Sequence, residues 1–251
     1  MIVPLANVLQ PLLDVLEAII KFLHDDVGFG WVGAIIGLTF IVRLAVLPLS
    51  VKGIKSMRRM QVVAPQLKQV QSKYKDDRER LQREMMKVYQ DNGVNPLASC
   101  FPFLLQFPFF IAIYSLLRGE SFKDDVTASG SAGGFFIHSV IEAPTGAELI
   151  VLIVLFVATT AATVLFTTAM TPTTNPAQRY IMLALPLIIV PFIANAPAGL
   201  AVYWIATNVW SLGQQLVVQR MIPAPHQVAL AEPQNAKPPP PPPRKKKRRR
   251  R

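Results

Sequence analysis

The chain has 251 residues, 51% of them hydrophobic and only 16% charged, with a mean hydropathy of +0.36. That profile points away from a soluble globule and toward a membrane protein. The formal net charge of +11 must therefore be kept apart from the apolar runs, and a lone cysteine, Cys100, excludes an internal disulfide framework or thiolate metal site.

In residues 1–27, Leu12, Leu13, Leu16, Ile19, Ile20 and Leu23 recur at helical spacing opposite Asp14, Glu17 and Lys21. This pattern predicts an amphipathic helix on the outer membrane surface; a sixth span is the alternative, although Asp14 and Glu17 would then lie within it. The first 24 residues lack a basic n-region and a small-residue cleavage site, so the first true span is expected to direct insertion.

Five apolar stretches follow, over about 31–51, 96–117, 149–170, 180–196 and 198–218. Each approaches or exceeds the roughly 20 residues that cross a bilayer core as a helix. The first contains Arg43, about twelve residues from its outer end and so near the midplane. A guanidinium there costs about 2.5–3.5 kcal/mol on insertion scales. None of the five stretches contains an acidic residue to neutralise it, so water must reach it. Thr39, one turn earlier, shares its face. Trp31, at the start of the run, reads as an interface anchor.

Lysine and arginine set the orientation. Residues 52–95 hold eleven basic and five acidic residues, and 237–251 hold nine basic and none acidic, so both are expected in the cytoplasm. Residues 118–148 hold two basic against five acidic and the first thirty hold one against four, which places both outside. The segment 52–95 should form a charged, mobile helical hairpin, interrupted early by Pro65, turning within 73–80 and ending at Asn92-Gly93.

Three stretches, NPLASCFPFLLQFPFFIAIY (95–114), TPTTNPAQRYIM (171–182) and PAGLAVYWIATNVWSLGQQ (197–215), together with an arginine in the first core span and a charged hairpin, closely resemble the YidC family. These membrane protein insertases include the mitochondrial oxidase-assembly and chloroplast Albino proteins. The resemblance covers about 28–221 and implies an all-α, five-span insertase and chaperone for nascent membrane proteins. It further implies action alone or beside the Sec translocon, no enzyme activity, and no cofactor or small-molecule substrate. The large extracytoplasmic domain of many Gram-negative relatives is absent, so the chain looks like the short Gram-positive form, in the bacterial plasma membrane with its N-terminus outside and its C-terminus in the cytoplasm.

The resemblance also places Arg43 in a hydrophilic intramembrane groove. Gln106, Asn195 and Asn208 are the other polar candidates there, with interhelical hydrogen bonding as the alternative role. By resemblance Phe107, Phe110, Tyr203 and Trp204 match positions that line the path along which a client's apolar segment slides; base rates alone would favour anchoring at the interface.

After the fifth span, residues 222–251 read as a disordered tail: a proline run, 238–243, and then Arg244, Lys245, Lys246, Lys247, Arg248, Arg249, Arg250 and Arg251. The prolines should form a spacer of roughly 20 Å at about 3.1 Å per residue. The basic block suits ribosomal RNA or anionic lipid headgroups. Residues 28–33 match G-x-G-x-x-G, but no strand precedes them, and His24, His138 and His226 lack metal-ligand spacing. A transporter or channel is the alternative class, disfavoured by the solitary ionisable group; a membrane-anchored RNA-binding protein needs fewer spans. No span pairs a nucleophile with a base or carries two carboxylates, which removes ordinary enzyme chemistry.

Overall fold

The computed structural model describes residues 3–95, 101–170 and 176–221. Among these the chain is all-α, with a single isolated β-bridge between Gly134 and Ile137. In chain order the helices are α1 (Val3–Asp25), α2 (Trp31–Ala45), α3 (Leu47–Lys73), α4 (Arg78–Asp91), α5 (Phe101–Arg118), α6 (Glu120–Ala128), α7 (Gly146–Met170), α8 (Pro176–Ala194) and α9 (Ala198–Met221).

α9 is central, packing against α2, α5, α7 and α8, while α1 covers α2 and α5. Small residues permit the close approach. A Cβ on Gly199 would come within 2.8 Å of the Val140 carbonyl oxygen, 2.9 Å of Ile35 Cδ1 and 3.0 Å of Leu117 Cδ2, so only glycine fits there. Around it Ala198, Leu200 and Ala201 of α9, and Ala34, Ile35 and Leu38 of α2, are essentially inaccessible. The apolar face of α1 joins the same core through Leu16, Ile20 and Leu23. Its polar face meets α6: Lys21 pairs with Glu17 at 2.9 Å and with Asp125 at 2.7 Å, and Ser121 donates to Glu17 at 3.0 Å.

Three sequence expectations need correction. The run 31–51 is not one straight helix: α2 stops at Ala45 and the axis turns by 59° into α3. Val46 adopts a non-helical φ of −90° and ψ of 2°, and Pro48 has no N–H to give the carbonyl four residues back. Pro65 does not interrupt the hairpin; α3 runs through it because the flanking Val63, Ala64 and Leu67 are buried. Trp31 is a core residue, 1% exposed, stacked on His24, edge-on to Phe122 and donating from Nε1 to Ser129. Within the stretch 118–148, for which charge assigned only a side of the membrane, Glu120–Ala128 forms the helix α6, held by Phe122 and Val126 one turn apart and both buried.

The hairpin turn itself falls where composition placed it: Asp77 caps α4 by accepting from the Arg80 N–H at 3.0 Å. By length and apolarity alone, one helix among the described residues suffices to cross a membrane, the 22 residues Gly146–Thr167 of α7; the bent pair Trp31–Ala45 plus Leu47–Lys55 qualifies only jointly. α9 is diluted by Asn208, Ser211, Gln214 and Gln215. Only 11% of the apolar α7 window is buried, and Ile150 and Val154 are 64% and 59% exposed. A helix so apolar and so uncovered needs an apolar solvent.

Candidate functional site

The bend after α2 places Arg43, in that helix's last turn, against α5 and α9. Its Nη2 donates to Gln106 Oε1 at 2.5 Å, and Gln106 Nε2 donates in turn to the Tyr203 hydroxyl. Arg43 and Gln106 are half-buried and Tyr203 is 4% exposed. Among the described residues no carboxylate pairs with the guanidinium. The cation is therefore held by neutral dipoles and keeps its full charge available.

Thr39, Val42, Val46, Phe109 and these three polar side chains line a small cavity. Its space for the centre of a water molecule is about 10 Å³, room for roughly one water. Thr39 is buried and donates to the Ile35 carbonyl at 2.7 Å, so its hydroxyl hydrogen is committed to its own helix. The recess is thus a narrow polar seam, with most of its wall apolar.

The residues singled out from sequence divide into three places. Thr39, Arg43 and Gln106 meet, and Tyr203 joins them instead of the aromatic group around Trp204. Asn208 lies elsewhere, in the α7–α9 contact, donating to Thr160 Oγ1 at 2.8 Å and to Thr159 Oγ1 at 3.3 Å. Asn195 is exposed at the end of α8 and donates to the Pro191 carbonyl at 2.7 Å. Neither asparagine lines the Arg43 recess.

The aromatic residues form a second assembly. Phe110 packs edge-on to Trp204 at 5.2 Å, Trp204 edge-on to Phe156 at 5.3 Å, and Phe192 contacts both Phe110 and Tyr114. Phe107, one turn before, is 54% exposed. Tyr203 and Trp204 are adjacent in sequence and so diverge by about 100° around α9, one toward the cation and one toward the aromatics. Val42, Val46 and Phe109 are apolar wall residues with no chemical signature of their own; only their helical spacing from Arg43 and Gln106 could have suggested them. The residues 171–175, Cys100, the proline run 238–243 and the basic block 244–251 lie outside the described residues.

Fold and site together define a class: an all-α protein whose apolar helices enclose a cation held by neutral side chains beside a helix bend. A family model described as 60Kd inner membrane protein matches residues 22–225. The chain belongs to that family.

Similar proteins include one named membrane protein insertase YidC from Streptomyces avermitilis, 34% identical over 240 residues, covering 84% of this chain and 56% of that protein. Proteins of the same name from Wolinella succinogenes and Helicobacter pylori are 34% and 36% identical, covering 89% and 81% of this chain and 39% and 35% of their own lengths. The chain thus spans about one third to somewhat over half of these relatives. A crystal structure described as an active YidC insertase with its first transmembrane domain resolved shares the fold, with a TM-score of 0.60 at 24% identity, covering 84% of this chain and 45% of that one.

Proposed function

We propose that the chain is a membrane protein insertase and chaperone of the bacterial plasma membrane, in which Arg43 draws the polar outer segment of a nascent membrane protein into the recess between α2, α5 and α9. The observation that carries this reading is the half-buried guanidinium tied, among the described residues, to Gln106 and to no carboxylate. Such a charge attracts an acidic segment and shortens the low-dielectric distance left to cross. Membership of the 60Kd inner membrane protein family, and the insertase names of relatives about one-third identical, support it.

The recess has room for about one water, so a client must part its walls. The client's apolar span then moves into lipid past Phe107, Phe110, Tyr203 and Trp204, driven by about 0.8 kcal/mol for each buried CH₂ and without nucleotide. Five spans carry this core over 28–221, with α1 on the outer face, the α3–α4 hairpin in the cytoplasm and the basic tail reaching ribosomal RNA or anionic lipid. The chain works alone or with the Sec translocon.

The test is insertion of a single-span client with an acidic outer segment into vesicles containing only this protein. Arg43→Ala should abolish insertion and Arg43→Lys should preserve it. Normal insertion by both variants would show that the charge is not the working element.

A further inference from the structure

Residues 130–145 contain a tight reversal at Gly134-Phe135-Phe136-Ile137, where the Gly134 N–H donates to the Ile137 carbonyl at 2.9 Å and the Ile137 N–H to the Gly134 carbonyl at 3.0 Å. Phe135 occupies the first corner with φ of 57°, the only positive φ at a non-glycine position among the described residues. Left-handed backbone is disfavoured by a Cβ and is ordinarily given to glycine or asparagine. Phe135 is nevertheless 91% exposed, and Phe136 beside it is 46% exposed. With its ring this exposed, the strain is not offset by burial of Phe135 among the described residues.

The stem beneath this tip is firmly held. A Cβ on Gly133 would lie 2.0 Å from the Ile137 carbonyl oxygen and 2.5 Å from that of His138, so the two arms cross only because this residue is glycine. Val140 is fully buried, its N–H donates to the Ala132 carbonyl at 2.8 Å, and its own carbonyl accepts from the Gly199 N–H at 2.9 Å. The loop is fastened to the start of α9, and the aromatic pair projects from a rigid base.

Two contacts fix the height of the tip. A Cβ on Gly134 would be 3.6 Å from Val32 Cγ2 in the first turn of α2, and His138 Nδ1 lies 2.9 Å from Glu148 Oε2 in the first turn of α7. Both helices begin at this level, and the exposed apolar strip of α7 opens two residues beyond Glu148, at Ile150. Residues 133–137 carry no charge. An uncharged aromatic tip, level with the start of a lipid-requiring helix surface and continuous with it, has the chemistry of an interfacial anchor.

We propose that Phe135 and Phe136 form a wedge that enters the headgroup–acyl boundary of the outer leaflet and fixes the height of the helix bundle in the membrane. The proposal rests on the reading that α7 spans the bilayer.

The test places a thiol-linked NBD fluorophore, in a Cys100→Ser background, at Phe135→Cys, at Phe136→Cys and, as a bilayer marker, at Val154→Cys. The full chain is reconstituted into phosphatidylcholine–phosphatidylglycerol vesicles. Quenching by lipids brominated near the top of the acyl chain is compared with quenching by aqueous iodide. The expected result is strong quenching by bromolipid at 135 and 136 and an iodide effect reduced several-fold relative to the free dye. If both loop positions follow iodide while 154 follows bromolipid, the wedge is wrong and the spanning reading stands. Protection from both quenchers at 135 and 136 would mean a protein partner covers the tip, which also overturns a lipid wedge. Iodide quenching at all three positions would overturn the spanning of α7 together with the wedge.

Discussion

Arg43 donates to Gln106 at 2.5 Å, across 63 residues of sequence, and Gln106 is the only described side chain to which its guanidinium hydrogen-bonds. The pair gives a sharper variant than removal of the arginine. Gln106→Glu keeps the size and the acceptor and adds a neutralising charge, so insertion of a client with an acidic outer segment should fall steeply while a client with an uncharged segment is affected little. Gln106→Leu leaves the cation without its acceptor and should destabilise the fold by about 1–3 kcal/mol. Client insertion into vesicles and thermal unfolding in detergent separate the two effects.

Asn208 bridges α9 to Thr159 and Thr160 on α7, away from Arg43. Its replacement by leucine should lower stability by about 0.6 kcal/mol and by at most about 1.7 kcal/mol, the average and the upper end for hydrogen bonds between helices in membranes. A double-mutant cycle with Thr160→Val should recover a coupling of that size. Client insertion per folded molecule should be unchanged, whereas loss of insertion at full folding would return Asn208 to the groove.

Gly199 admits no side chain. Gly199→Ala should cost about 1–3 kcal/mol, since the new methyl meets a backbone carbonyl and two core side chains. Reduced expression and a lower unfolding temperature are the readouts, and Gly213→Ala, where a Cβ meets nothing within 4 Å, is the control.

Lys21 joins α1 to α6 through Asp125, with Glu17 beside it, and these hydrogen bonds raise its pKa above the ordinary value of 10.5. Its contribution is full below the unfolded pKa and is lost as pH rises through the higher folded one. The docking of α1 should therefore weaken only in strongly alkaline solution. The effect should be small, since Lys21 and Asp125 are 35% and 40% exposed, and it should vanish in about 1 M salt. Limited proteolysis of α1 between pH 8 and 11, compared with Lys21→Met, measures it.

Much of this architecture was legible because apolar runs bounded by Asn, Gly and Pro leave few choices for a helix. α7, α8 and α9 begin within four residues of expectation, and the hairpin turns at Asp77 as its polar cluster implied. Misreadings arose where a local signal competed with packing. Pro65 breaks helices in isolation, but buried neighbours on both sides hold α3 together. Pro48 lies inside an apolar run, where hydropathy gives no sign of a break, and coincides with the 59° bend.

In the site, Arg43, Thr39 and Gln106 were recognisable as polar groups in an apolar setting. Which of the remaining polar side chains meet them depends on helix rotation. A difference of about 100° per residue sends Tyr203 to the arginine and Trp204 to Phe110. Hydropathy carries no information about that angle. Trp31 illustrates the same gap, since a tryptophan at a helix start has the same sequence signature whether it meets lipid or, as here, His24 and Phe122.

The bend at Val46 has an electrostatic consequence. Because α2 stops at Ala45, Arg43 stands in the last turn of a helix, where aligned peptide dipoles amount to up to about half a negative charge, offset in part by the amino end of α3 that begins at Leu47. That partial countercharge belongs to the backbone and survives every side-chain substitution around the recess. It lowers the cost of holding a cation there but cannot neutralise it as a carboxylate would. The terminus of α2 thus eases the positive charge and leaves it incompletely balanced, as the proposed capture of an acidic client segment requires.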